Sequence, residues 1–314
     1  MNPNVDNQFL PYLSTDYSRK QLTKHYEQAG VPSPEKMSYA TCNSFISYLK
    51  QGNIYYSQAE IAPLEIKPLL LFYGFIQYLK AAILTKDPTY PATTQVLAHG
   101  VTTRKRKKTT YRFLEDEVKL QRNGLFPHFL AKLFHMKHVE GDKYLMKELV
   151  SQIADLHTLY QQLHDTPLSI QLKLEKHSLL IPNLILDQYH MTANRFSQYV
   201  ENHLNLKKPL SLTETKDGLS FSAQPLKTKS RTPFLKDQHE KMYIHLNKDH
   251  YIHLPEIACH YLLLYNLSMI CRYETEWWTD LITNNDGTDF PIILKFLQIL
   301  PIKTSQLISE LLLV

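Results

Sequence analysis

Polar positions almost disappear between Pro63 and Leu84, in the stretch PLEIKPLLLFYGFIQYLKAAIL. Leu69, Phe72, Tyr73, Ile76, Leu79 and Ile83 recur at three- and four-residue steps, leaving Gly74, Gln77 and Lys80 as a thin polar line. Pro68 suits the first turn of a helix, where its missing N–H costs nothing. The pattern predicts a helix buried on most sides, with the rest of a bundle arranged around it.

Ahead of that stretch, Ser14 or Thr15 can cap a helix running to about Gln28, with Gly30 and Pro32 as stop signals. A second helix is predicted from Glu35 to about Tyr56, with Tyr39, Cys42, Phe45, Ile46 and Leu49 on one face. The mixed polarity of Thr109 to Gln121 fits a strand or a helix and leaves the choice open. Asp142 can cap a helix to His164, along which Leu145, Leu149, Ile153, Leu156, Tyr160 and Leu163 form a seam.

After Pro167 the period changes. Ile170, Leu172 and Leu174 alternate with Ser169, Gln171 and Lys173, as a half-buried strand does. Leu210–Thr215 and Leu219–Ala223 flank Lys216-Asp217-Gly218, a hairpin signal; Met242–Leu246 and Tyr251–Leu254 flank a second, weaker one. A helix over Thr192–Leu204 interrupts these strands. From Pro255 the chain reads as helical again: one long apolar helix over Pro255–Trp278, a turn-rich stretch at Asn284–Asp289, and two short helices separated by Pro301. The fold class predicted is α+β: a mainly helical bundle from the N- and C-terminal parts, with a small antiparallel sheet inserted. Its regions are 1–166 (helical), 167–254 (an α/β insert with hairpins) and 255–314 (helices packing on the bundle).

Composition narrows the chemistry. Glycine numbers eight in 314 residues, against roughly 20 at average usage, which disfavours glycine-rich phosphate loops. Neither GxGxxG nor GxxxxGK[ST] occurs, which removes the dinucleotide and P-loop readings. Cys42, Cys259 and Cys271 form no CxxC, and the histidines at 135, 138, 245, 250, 253 and 260 lack zinc-site spacing, so no metal and no cofactor is expected. Apolar runs end near ten residues and the N-terminus has no signal-peptide layout, so a cytoplasmic protein with no membrane association is expected.

Net charge is +5, and Arg104, Lys105, Arg106, Lys107 and Lys108 together equal that excess. With His99 just upstream, they form a candidate anion pocket, for which a purine nucleotide is the natural ligand because arginine pairs bidentately with phosphate oxygens. Arg272, Trp277 and Trp278 make a dense polar-aromatic cluster of the kind that anchors protein interfaces, although packing inside the fold uses the same residues.

PLLLFYGFIQYLKAAI, the LAHG at Leu97–Gly100, and LSMICRYETEWW at Leu267–Trp278 together resemble the bacterial YaaC family. The N-terminal helices are similar to HEPN domains, helical bundles in which an apolar helix precedes an Arg-x(4–6)-His motif. HEPN proteins include metal-independent endoribonucleases and inactive forms that bind nucleotides or proteins. Here the motif falls on Arg122, Asn123 and His128. In an RNase the histidine would take the proton of a ribose 2′-OH and the arginine would stabilise the phosphate. Gly124 and Pro127 argue against one continuous helix carrying both. YaaC genes in bacilli often lie beside the gene for IMP dehydrogenase, which points to purine metabolism. The expectation is a non-catalytic regulatory protein that binds a partner protein, first of all IMP dehydrogenase, gated by a nucleotide. The alternative is a HEPN-type endoribonuclease, with RNA as substrate and a homodimer as its usual form.

Overall fold

The computed structural model describes residues 8–103, 111–137, 140–175, 178–204, 212–222, 233–284 and 287–313. The protein is a mainly helical α+β chain that divides into two compact units, Met1–Met146 with His260–Val314, and Lys147–Cys259. The first part contributes helices α1 (Thr15–Gln28), α2 (Pro34–Ile61) and α3 (Lys67–Leu84), strands β1 (Val101–Thr103) and β2 (Glu117–Leu120), helix α4 (Leu125–Phe134) and strand β3 (Lys143–Leu145). Then follow α5 (Met146–Val150), α6 (His157–His164), β4 (Ser169–Gln171), β5 (Lys173–Glu175), β6 (Ser178–Pro182), α7 (Asn183–Tyr189) and α8 (Ala193–Leu204). Strands β7 (Leu212–Thr215), β8 (Gly218–Ser222), β9 (Phe234–Lys236) and β10 (Met242–His245) precede α9 (Glu256–Tyr273), α10 (Thr275–Asn284) and α11 (Asp289–Leu312).

In the first unit α3 is the central helix, as its apolar surface predicts. Leu71, Phe72, Phe75, Ile76, Leu79 and Ile83 are all buried, and α2 and α11 pack along it. Ser14 caps α1 through its hydroxyl, which accepts from the Tyr17 N–H at 3.4 Å. The two chain ends meet where Tyr12 donates its hydroxyl to the Leu312 carbonyl at 3.0 Å. Strands β1, β2 and β3 form a small antiparallel sheet, with Val101 opposite Leu120 and Val118 opposite Tyr144. The open segment around 117–120 is therefore a strand.

Three local expectations need correction. The helix expected from Asp142 to His164 is instead a strand, a short helix and α6, because 143–145 pairs with β2. Its seam is interrupted at Ile153, whose φ of −112° and ψ of 98° are extended. The Gln152 side chain there donates to the His250 carbonyl at 2.7 Å and accepts from the Ile252 N–H at 3.3 Å. The weaker hairpin does not form: β10 pairs with β4 and β9, and residues 251–254 run as coil. Pro301 does not divide the last helix either. It removes one hydrogen bond, that of the Leu297 carbonyl, and α11 continues because Ile292, Ile293, Phe296, Leu300 and Ile308 are buried on either side of it. Among the described residues α11 is the one helix long and apolar enough to cross a bilayer, and 56% of its apolar window is buried within the protein.

The second unit holds two antiparallel sheets, β4-β10-β9 and β5-β6-β8-β7. The hairpin at Lys216-Asp217 forms as the turn residues predict, with Thr215 opposite Gly218. Leu179, Ile181, Phe221 and Ile244 from the strands pack with Ile185 and Tyr189 of α7 and Phe196 and Val200 of α8 to make its core.

Candidate functional site

The chain around His99 is fixed by a backbone clasp. Leu125 N–H donates to the Ala98 carbonyl at 2.7 Å, Phe126 N–H to that of His99 at 3.1 Å, and Gln121 N–H to that of Gly100 at 3.0 Å. Two of these donors are first-turn amides of α4 that would otherwise lack partners. The approach is possible because both facing residues are glycines. A Cβ on Gly124 would fall inside contact distance of the Gly100 backbone and within 2.9 Å of the Ala98 oxygen. Gly124 also has φ 136° and ψ −178°, a conformation essentially reserved for glycine.

Gly124 separates the Arg-x-His motif. Arg122 and Asn123 are exposed on the turn before α4, whereas His128 lies inside the helix. As expected, no continuous helix carries both Arg122 and His128: the helix begins after Gly124, and Pro127 sits in its first turn, where no N–H partner is required. His128 Nε2 lies 3.1 Å from Asp87 Oδ2, and Lys132 Nζ lies 3.0 Å from the same oxygen. Asp87 Oδ1 accepts from the Thr89 hydroxyl at 2.7 Å and the Thr89 N–H at 3.2 Å. Against burial, His128 first, then Thr89 and Lys132, hold the Asp87 carboxyl well below the ordinary carboxylate range. The Tyr90 ring packs 5.4 Å from that of His128. The clasped His99 and the His128–Asp87 pair thus share α4 as their support.

The His99 ring is half-buried, 5.2 Å from Phe72 and 5.6 Å from Tyr265, and its carbonyl also accepts from the Tyr261 hydroxyl at 2.8 Å. Burial, then the positive charges of Arg272 and Lys80, push its pKa down. Arg272 donates from Nε to the Ser268 carbonyl at 3.1 Å and from Nη1 to the Tyr73 hydroxyl at 3.5 Å. Its guanidinium sits 5.0 Å from the centre of the Tyr273 ring. Lys80 Nζ lies 5.6 Å from the centre of the Tyr48 ring, and burial lowers its pKa. Tyr55 stacks on Tyr73 at 6.0 Å.

Of the other residues singled out in the sequence, Arg104, Lys105, Arg106, Lys107 and Lys108 lie outside the described residues. Trp278 is buried, 2% exposed, with its Nε1 donating to the Leu64 carbonyl at 3.3 Å, so its ring is enclosed by the fold. Trp277 is half-buried and meets Tyr111 edge-on at 4.5 Å. The sequence reading missed Asp87, Lys80 and the tyrosines at 48, 55 and 73. The one available signal was Lys80, the cation inside an otherwise apolar α3. Among the described residues no group of three or more His, Cys, Asp or Glu side chains is placed to hold a metal ion. A separate pocket of about 230 Å³ lies against α2, α3 and α11, lined by Asn53, Ser57, Lys67, Leu297 and Pro301 among others.

These features define a mainly helical α+β protein whose His99 loop is clasped to the start of α4. The chain belongs to the YaaC family: the family model described as YaaC-like Protein matches residues 10–312. No curated protein matches the chain, and no solved structure does.

Proposed function

We propose that this chain is a non-catalytic, cytoplasmic regulatory protein that binds a partner protein, with IMP dehydrogenase as the first candidate, and that a nucleotide gates the binding. Its helical unit is read as a HEPN-like bundle that has given up catalysis. The observation that carries this reading is the commitment of His128, 3.1 Å from Asp87 in a knot that also ties Lys132. The exposed Arg122 stands before the glycine break. A general base needs a lone pair aimed at its substrate and a partner cation at the phosphate. The half-buried Trp277 and Arg272 supply anchor types for a partner surface. The test mixes purified protein with IMP dehydrogenase, with and without purine nucleotides, and follows co-elution and dehydrogenase rate. Co-elution with a changed rate is expected; neither effect under any nucleotide condition sinks the reading.

The endoribonuclease reading keeps one observation in its favour. A carboxylate hydrogen-bonded to a histidine also orients an imidazole for proton transfer, as Asp87 would for His128. RNA incubated in EDTA separates the two. Cleavage that leaves 2′,3′-cyclic phosphate ends, and is lost in His128→Ala and Asp87→Asn, establishes the nuclease; intact RNA is the expected result.

A further inference from the structure

We infer that the cavity of about 230 Å³ bounded by α2, α3 and α11 is a binding site for a small polar α-amino acid, held as its zwitterion. The residues lining it are not those of the His99 clasp or the Asp87–His128 pair, so the inference stands apart from the nucleotide-gated reading above.

The first argument is a carbonyl released from its helix. Pro301 has no N–H, so the Leu297 carbonyl, one turn back, loses its ordinary helical donor. Both residues line the cavity, and Leu297 is otherwise buried, 3% exposed. A carbonyl withdrawn from water is costly to leave without a donor, which favours one supplied from outside the helix. An ammonium supplies it, with the added strength of a charged donor.

Across the cavity, α2 and α3 contribute donors. Asn53, Ser57 and Glu60 fall on one face of α2 and span two turns, about 10 Å. The Tyr78 hydroxyl donates to Asn53 Oδ1 at 2.7 Å, which fixes that amide and leaves its Nδ2 protons for a ligand. Lys67 Nζ donates to the Glu60 backbone carbonyl at 3.4 Å, and among the described residues it makes no ion pair. An ammonium has three protons, so Lys67 keeps donors for a carboxylate. The Tyr56 wall is set beforehand: its hydroxyl bonds Thr304 Oγ1 at 3.0 Å, and a Cβ on Gly74 would fall inside contact distance of its ring.

Charge and size narrow the ligand. The charged residues lining the cavity are Lys67 and Glu60, one of each sign, which suits a zwitterion and disfavours a phosphate or a dicarboxylate. On the scale at which a cavity of about 150 Å³ takes benzene, about 230 Å³ takes about nine non-hydrogen atoms, the size of asparagine, threonine or glutamine. The ligand's ammonium donates to the Leu297 carbonyl, its carboxylate meets Lys67 and Ser57, and a side-chain oxygen accepts from Asn53.

Calorimetry of the full chain tests this with L-asparagine, L-threonine and L-glutamine, each beside its carboxamide and its desamino acid. At least one amino acid is expected to bind. Its carboxamide, which lacks the carboxylate, and its desamino acid, which lacks the ammonium, should each bind at least about tenfold more weakly. Lys67→Met should weaken binding by about tenfold or more, while Lys24→Met, an exposed cation on α1, should leave it unchanged. Pro301→Ala separates binding from folding. It restores the N–H that satisfies the Leu297 carbonyl, so Tm should hold or rise while affinity falls by about tenfold. No binding of any of the three at about 5 mM, or affinity unchanged in both Lys67→Met and Pro301→Ala, overturns the inference. Equal affinity for the carboxamide or the desamino acid overturns it as well, because the zwitterion is then not what is recognised.

Discussion

Gly124 sits at φ 136° and ψ −178° with the backbone of Gly100 directly against it, so Gly124→Ala carries two separate costs. Holding alanine in that glycine-only region costs about 1–3 kcal/mol. The added methyl also lies inside contact distance of Gly100 and within 2.9 Å of the Ala98 oxygen, so the two segments must part. Parting them weakens the bonds from Leu125 N–H to Ala98 and from Phe126 N–H to His99, each worth about 0.5–1.5 kcal/mol net. The sum is a loss of about 2–6 kcal/mol. Gly30→Ala is the control: its φ is also positive, at 68°, yet nothing lies within 4 Å of the new Cβ. That change should cost only about 1–2 kcal/mol, the left-handed penalty alone. Urea unfolding of both variants beside the parent, with equal m-values, gives the comparison. If Gly124→Ala falls within about 0.5 kcal/mol of Gly30→Ala, the clasp does not contribute as described.

In the second unit His157 and His245 are buried, and burial chiefly holds their pKa values down, to about 4 and about 3. His157, whose ring lies 5.8 Å away, and His250 disfavour protonation of His245, against the Leu168 backbone; at His157 the Ser151 carbonyl and Glu256 favour it and His250 disfavours it. Unfolding lets both rings protonate near pH 6.5, so these groups add no pH dependence above that value and subtract stability below it, down to their folded pKa values. Two such groups predict a loss of roughly 3 kcal/mol between pH 6.5 and pH 5, read as faster amide exchange in β6 and β8; exchange free energies unchanged over that range would contradict it. Ile76 is 5% exposed at the centre of α3, so Ile76→Ala should cost about 2–5 kcal/mol, and a measured loss below about 1 kcal/mol would remove it from the core. Asp87→Ala should cost about 1–3 kcal/mol by leaving His128 and Thr89 without their acceptor, checked by thermal unfolding, where an unchanged Tm would show the knot to be idle.

Local rules settled a good part of this molecule. The cap at Ser14, the apolar surface of α3, the hairpin turn at Lys216-Asp217 and the start of α9 after Pro255 were readable because neighbouring residues decide them, whereas the single helix expected through Trp278 ends at Tyr273 and α10 starts anew at Thr275. Family membership was also readable, from PLLLFYGFIQYLKAAI, LAHG and LSMICRYETEWW. Partners distant in the chain decided the rest. Residues 143–145 carry a helical seam yet become a strand because β2 offers its edge, and α11 runs through Pro301 because burial on both sides outweighs one lost hydrogen bond. The same holds for the chemistry. Gly100 and Gly124 mean little until they face each other. His128 looks like half of a motif until Asp87, on the far side of a long loop in sequence, closes on it. Sequence periodicity reports which way a side chain points; which charge stands opposite it is decided by the packing of helices remote from one another in the chain.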